Sequence, residues 1–407
     1  MIERRGFENR LEPTCEQSQL FFRFVGCRRW VWNWALALQK SRLENSLPLL
    51  SFAELCKQLT ELRNSPDTAW LSEGPTHTQQ AALRDLCRAF ERWRARTARL
   101  PRFKKKGVRE SIRYPDCKQI KFELRTHDEA GRQVHPQIFL PKVGWVKIRL
   151  SRPLVGKVCN VTVRYCAGRW VASIQTEFDV EAPAIEQTDQ NTIGGDIGVC
   201  HFLVLSDGTT IDAPSHIANK EKALKTAQRK LSRMQKGSKR YQEQRKRIQK
   251  LHHRIASSRK DFHHKVSTTL SKNHAYVKLE DVSVLRMIQT KESDQPSKSK
   301  TAARRATFNR SLLNVGWGMF LHLLDYKLRV RGGKLILVNP AFTSQECSVC
   351  GSTAEGNRRT RDCFRCLSCH HTEHADANAA KVIKKRAGRA PSPSGVACEI
   401  SNPGDLP

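Results

Sequence analysis

No run of about 18 consecutive apolar residues occurs anywhere in the chain, and its N-terminus lacks the short apolar core of a secretory signal. Neither a membrane-spanning helix nor an exported precursor is therefore expected. Acidic side chains are also scarce: 39 Asp and Glu stand against 72 Lys and Arg, a formal net charge of +33 over 407 residues. An excess that large, spread along the chain, exceeds what solubility needs and points to a polyphosphate partner. With a membrane surface set aside as the competing polyanion, nucleic acid is the expected ligand, and the expected setting is cytoplasmic and nucleoid-associated. The sequence shows no Ser-His-Asp arrangement, Walker loop, G-x-G-x-x-G loop or internal repeat. Gly316-Trp317-Gly318 lacks a preceding strand and a further glycine.

Cysteine is plentiful, with 14 residues, but nine are scattered singly and five crowd between Cys347 and Cys369. Scattered thiols fit a reducing compartment, whereas crowded ones suggest a metal. Within the crowd, "CSVCG" (Cys347, Cys350) and "CFRCLSC" (Cys363, Cys366, Cys369) supply two C-x-x-C knuckles, the requirement of a closed tetrahedral zinc site. Cys363 with Cys366 is also a legitimate pair. Cys366 with Cys369 is preferred, because "FRCLSC" has the Phe-x-Cys of a zinc ribbon's second knuckle. Four thiolates leave the metal no open position, so this zinc would be structural.

The rest of the chain divides by periodicity. From Glu16 to Leu38 and from Thr78 to Arg99 apolar residues recur at helical steps, with basic residues on the opposite faces. The pattern breaks at "LPRFKKKG" (Leu100 to Gly107). Between Ile138 and Phe178 the period becomes two, and "VTVRY" and "RWVASIQ" flank Ala167-Gly168 as a hairpin would. A linker, "EAPAIEQTDQN", follows. Lys220 to Lys265 holds 17 Lys and Arg against 3 Asp and Glu, with helical apolar spacing around a break at Gly237-Ser238. A solvated face is the ordinary reading of a charge run; the one-sided sign here favours a helical hairpin that contacts nucleic acid. "HAYVKLEDV" reads as a buried strand, Thr290 to Arg305 as a mobile loop, Leu312 to Val330 as an amphipathic helix and Lys334 to Val338 as a strand. "HADANAAKVIKK" reads as a short helix, and a disordered tail is expected at 389–407.

Three carboxylates sit oddly in this pattern. Asp196 ends an apolar strand amid Gly194, Gly195 and Gly198, which would let a ligand or another backbone come close. Glu280 ends "VKLE", with Asp281 as an equally placed rival. Asp376 opens the last helix, where an N-cap is the plain alternative. A strand Asp, a strand-end Glu and a helix-start Asp in the order β-β-β, α-β, α-β, α are the arrangement of a ribonuclease H-like fold, which gathers distant acids at one sheet edge. Phosphodiester hydrolysis needs charge neutralised on the attacking and leaving oxygens, which two Mg²⁺ ions about 3.5 to 4 Å apart provide. Such hard cations take oxygen ligands.

Several further stretches bear on kinship: "RLEPTCEQ" (Arg10 to Gln17), "GCRRWVWNWAL" (Gly26 to Leu36), "PRFKKKG", "LPKVGWVK" (Leu140 to Lys147) and "GGDIGVCHFLVLSDG". "KLEDV", "YKLRVRGGKL" (Tyr326 to Leu335), "TSQECSVCG" (Thr343 to Gly351) and "HADANAA" complete the series. In this order, from roughly Arg10 to Lys385, they resemble the TnpB family, transposon-encoded RNA-guided DNA endonucleases related to the type V CRISPR effectors. The resemblance implies a bilobed α/β protein. Its parts would be a wedge-like β module (1–15 and 106–184), a helical recognition domain (16–105) and a RuvC nuclease domain (190–340 and 371–388) with a zinc-bearing target-nucleic-acid-binding insert (341–370). It places the nuclease acids, ligands of Mg²⁺ or Mn²⁺, on Asp196, Glu280 and Asp376. It also implies a guide RNA from the transposon end, a double-stranded DNA target beside a short adjacent motif, and a monomer on RNA. The chain departs from many relatives with Ala375 in place of an Arg, His374 in place of an acid and Gly195 in place of an Ile. A nuclease-inactive RNA-guided DNA binder and a strand-transferring transposase are the alternatives. Trp30, Trp32 and Trp34, set among arginines, either stack on bases or form core.

Overall fold

The computed structural model describes residues 2–108, 110–125, 135–180, 185–212, 214–281, 309, 312 and 315–391. The stretch Thr290 to Arg305 and the tail beyond 391 lie outside the described residues, as do 181–184 of the linker and most of the start of the helix expected from Leu312. The chain forms two compact units, 1–180 and 181–407. No helix among the described residues is long and apolar enough to cross a membrane.

The first unit joins an antiparallel sheet to three helices. Its strands are β1 (Ile2–Glu12), β2 (Ser111–Tyr114), β3 (Lys121–Glu123), β4 (Gln137–Leu140), β5 (Gly144–Arg149), β6 (Lys157–Cys166) and β7 (Arg169–Asp179), in the order β2-β6-β7-β1-β5-β4-β3. Alternation in β6 and β7 turns Val161, Val163, Ala172 and Ile174 inward. The hairpin between them turns at Ala167 and Gly168, both at positive φ, as a two-residue turn matched to strand twist requires. Strand β1 pairs with β7 from Ile2↔Asp179 to Leu11↔Trp170.

Helix α1 (Cys15–Glu44) starts from a capping box between Thr14 and Gln17. Its first turns place Phe21, Phe24 and Val25 on the sheet, and its later turns place Val31, Ala35 and Leu36 against α2 (Phe52–Asn64) and α3 (Thr76–Arg94). The helix outlasts its apolar pattern because buried Gln39 exchanges two hydrogen bonds with the backbone of Leu50, at 2.8 and 2.9 Å. The tryptophans belong to this packing: Trp32 is buried and donates to the Arg102 carbonyl, while Trp30 stacks on Trp34.

The second unit holds a five-stranded sheet, β10-β9-β8-β11-β12, formed by β8 (Thr192–Asp196), β9 (Leu203–Leu205), β10 (Thr210–Ile211), β11 (Tyr276–Glu280) and β12 (Lys334–Val338). Strands β8, β11 and β12 are parallel; β9 and β10 are antiparallel additions. Ahead of β11 run two basic helices, α4 (Ser215–Ser232) and α5 (Lys239–Asn273). They are broken at Gly237, at φ 87, and restarted by the Ser238 cap. Gln244 ties them together by donating to the Ala227 carbonyl at 2.8 Å. Val266 and Leu270 of α5, with Phe320, Leu324 and Leu328 of α6 (Trp317–Val330), cover the sheet face made by Ile193, Val277, Leu279, Leu335 and Leu337. The opposite face takes α7 (Ala375–Lys385), which follows the short hairpin β13 (Cys363–Arg365) and β14 (Thr372–His374).

Candidate active site and metal centre

Strands β8 and β11 run side by side with Leu279 opposite Gly195, so the next pair in register is Glu280 and Asp196. Side chains alternate along a strand, which puts both carboxylates on the α7 face, on strands about 4.8 Å apart. Helix α7 crosses that face at Gly194, where a Cβ atom would lie 2.2 Å from the Ala380 carbonyl and 2.6 Å from the Lys384 nitrogen. Only glycine admits the helix this closely. The crossing brings Asp376, one turn before Ala380, to the same sheet edge. Gly194→Ala should therefore cost about 3 kcal/mol or more, because the opposing atoms are backbone and cannot swing aside. A melting temperature unchanged in thermal denaturation would contradict this. Gly195 faces the other way, and the Leu203 and Leu279 side chains fill the space its Cβ would need, at 2.8 and 2.9 Å. That packing accommodates the missing isoleucine.

Asp196 feels the charges of the other two acids. Burial first, then the charges of Glu280 and Asp376, pushes the Asp196 carboxyl up to about 7 against the pull of Arg358. Burial also raises Glu280, opposed by a hydrogen bond from the Thr343 hydroxyl at 2.5 Å and by Arg386. Arg358 donates to Asp376 at 3.3 Å. Asp281, the rival to Glu280, instead pairs with Arg389 at 2.6 Å. Asp376 is not the helix cap: His374 is, with its Nδ1 accepting from the Asp376 N–H at 3.3 Å. Thr343 opens the stretch "TSQECSVCG", yet nothing in its surroundings or those of Arg358 marks either as a partner of these carboxylates. A buried carboxyl such as Asp196, whose ionisation two neighbouring acids oppose, suits a hard divalent cation, whose charge would relieve the repulsion.

Beyond the sheet, the sulfur atoms of Cys347, Cys350, Cys366 and Cys369 lie within 4.8 Å of one another. The pairs Cys347–Cys369 and Cys350–Cys366 stand 3.6 and 3.5 Å apart. Four sulfurs at Zn–S distances of about 2.3 Å around a tetrahedral ion would be separated by about 3.8 Å, so this donor set could hold a metal such as zinc. Cys363 is exposed on β13, outside the cluster, where it pairs with His374. The metal centre and the carboxylates share supports. Ala375 is buried with Cys347, Phe364 and Cys366, immediately before Asp376. Asn378 of α7 accepts from the Ser348 N–H at 2.9 Å and donates to the Glu346 carbonyl at 2.8 Å.

Comparison with known proteins bears on kinship and fold. A family described as a probable transposase, IS605 OrfB, matches residues 173–291, and a Cas12f1-like TNB domain matches residues 317–383. A helix-turn-helix family of the same OrfB group matches residues 1–47, although here that range holds strand β1 followed by the single helix α1. InsQ, a candidate RNA-guided DNA endonuclease of Escherichia coli (strain K12), is 37% identical over 93% of this chain and 91% of its own length. A candidate RNA-guided DNA endonuclease of Streptomyces pristinaespiralis is 31% identical over 96% of this chain and 91% of its own. Among solved structures, the Cas12f1 chain of a complex with sgRNA and target DNA is similar in fold, with a TM-score of 0.50 at 12% identity, covering 94% of this chain and 98% of that one. Identity of 37% sustained along nearly the whole length is kinship: the protein belongs to the TnpB family, whose IS605 OrfB profile it matches.

Proposed function

We propose that this chain is an RNA-guided DNA endonuclease of a transposable element, hydrolysing DNA phosphodiesters with divalent metal at a RuvC-type site made by Asp196, Glu280 and Asp376. The observation that carries the chemistry is the convergence of acids from remote parts of the chain: Asp196 and Glu280 next to each other in register on adjacent strands, with α7, which carries Asp376, crossing at Gly194. The sheet order, with two antiparallel strands beside three parallel ones, supports a ribonuclease H-like domain. Guide RNA and target DNA are assigned from the relatives' names and from the nucleic acids in the Cas12f1 complex. In the same reading, 1–15 with 106–184 form the wedge, 16–105 the recognition domain, 190–340 with 371–388 the nuclease, and 341–370 a structural zinc ribbon.

Asp196, Glu280 and Asp376 would hold Mg²⁺ or Mn²⁺. When bound, such ions neutralise charge on the attacking and leaving oxygens of the scissile phosphate. Thr343 fixes the Glu280 carboxylate by donating to one of its oxygens. Arg358 orients Asp376 and offsets the negative charge around Asp196. The basic helices α4 and α5 neutralise phosphates, so binding should weaken steeply with salt. Sequence is read by guide–target pairing, while the protein reads heteroduplex shape and a short adjacent motif.

Below pH about 7 the Asp196 carboxyl keeps a proton that a cation must displace. Mn²⁺ affinity should thus fall roughly tenfold per pH unit below that point and level off above it, measured by titration calorimetry at several pH values. A flat profile from pH 5.5 to 8 would count against the coupling. To test the function itself, the protein is purified with its co-expressed RNA and given a matching plasmid in Mg²⁺. Linear product supports the endonuclease. Joined product would favour the transposase suggested by the family description. Binding without cutting, across adjacent-motif libraries and metals, would leave a guided DNA-binding regulator.

A further inference from the structure

Phe342 is 63% exposed, and among the described residues no other Phe, Trp or Tyr side chain is more so. Neither another ring nor a cation packs on it there. Its backbone has φ 61, the left-handed region, which a bulky side chain enters only under strain. The surrounding turn enforces this conformation. The N–H groups of Gln345 and Glu346 both donate to the Phe342 carbonyl at 3.0 Å, and the Arg386 guanidinium donates to the carbonyls of Asn339 and Ala341 at 3.0 and 2.7 Å. The next residue is Thr343, whose hydroxyl holds Glu280. An apolar ring is therefore kept in water, on a braced turn, one residue from the carboxylate site.

We propose that the Phe342 ring stacks on a nucleobase of the DNA strand entering the carboxylate site and so positions the neighbouring phosphodiester for cutting, an inference that rests on the endonuclease reading. The apolar part of a nucleotide whose phosphate sits at the acids is its base. Aromatic faces bind bases with little regard to sequence, as an enzyme directed by a guide requires.

With the ribonucleoprotein and a matched target in Mg²⁺, Phe342→Ala and Phe342→Gly should cut roughly tenfold more slowly, and Phe342→Tyr should stay within about twofold of wild type. Phe342→Gly should melt no lower than wild type, because glycine relieves the strained turn, so its slower cutting would not reflect misfolding. An abasic nucleotide at the scissile step should slow wild type and leave Phe342→Ala no slower than before. Unchanged cutting by Phe342→Ala, or equal slowing of both proteins by the abasic site, would overturn the proposal. A wild-type complex that never cuts would defeat the endonuclease reading, and stacking is then read separately. In complexes carrying Asp196→Ala, 2-aminopurine in the bound single strand should change fluorescence with Phe342 present and not after Phe342→Ala. No difference between the two would overturn the proposal whether or not wild type cuts.

Discussion

Asp196→Ala will leave the ribonucleoprotein bound to its target and slow cutting by roughly 10³-fold or more, the scale on which a member of a catalytic unit acts. The same loss is expected for Glu280→Ala and Asp376→Ala, since the charges of both reach Asp196. Asp281→Ala is the informative control: its carboxylate is turned to Arg389, so cutting should persist. Stability should move in the opposite direction from activity. Asp196 titrates at about 7 in the folded chain against 3.8 as its ordinary value. The folded state therefore binds more protons between those limits, and metal-free stability falls as pH rises through that window. Asp196→Asn lacks that fall and should melt higher than wild type at pH 8 without metal, while remaining inactive. Equal melting of the two proteins, or cutting by either variant, would contradict the assignment of Asp196.

Cys366→Ser should abolish metal binding by the four thiolates, proposed to hold zinc, and with it most of the cutting. Closed thiolate sites supply metal-coupled folding energy on the order of 10 kcal/mol, so losing one ligand threatens the whole segment. Two consequences reach the carboxylates. Cys366 packs with Ala375, which leads into Asp376, and the same segment carries Thr343, the hydroxyl that holds Glu280. Cys363→Ser should keep both metal and activity, since its sulfur is outside the cluster. Zinc counted by elemental analysis, beside plasmid cutting, checks both variants. A wild-type metal content in Cys366→Ser, or its loss in Cys363→Ser, would reverse the choice of ligands.

Where side chains alternate or repeat regularly against a core, the sequence was legible. The β6–β7 hairpin, the α4–α5 break at Gly237 and the strand ending at Glu280 follow from periodicity and turn residues. Strand β1 does not, because its alternation buries Phe7, Asn9 and Leu11, and only two of these are apolar, too few to show a hydrophobic period among Arg4, Arg5, Glu8 and Arg10. Helix α2 falls within the expected helical domain 16–105 but shows no long apolar stripe, since it buries only Leu55 and Leu59; its start is marked by the Ser51–Glu54 capping box. Each acid of the candidate site is visible singly: Asp196 as a charge in an apolar strand, Glu280 at a strand end and Asp376 at a helix start. Their convergence rests on strand register and on the backbone contact at Gly194, which local sequence does not encode. Thr343 and Arg358 were illegible for the same reason: hydroxyl and guanidinium groups are common on surfaces, and only the fold brings these two to carboxylates.

Crystals of the RNA- and DNA-bound protein soaked in Mn²⁺ offer the sharpest test, through anomalous scattering at the sheet edge. Peaks should appear within bonding distance of oxygens from Asp196, Glu280 and Asp376, and should vanish in Asp196→Ala. Manganese bound elsewhere, with these three side chains empty while the strand is in place, would contradict the nuclease site.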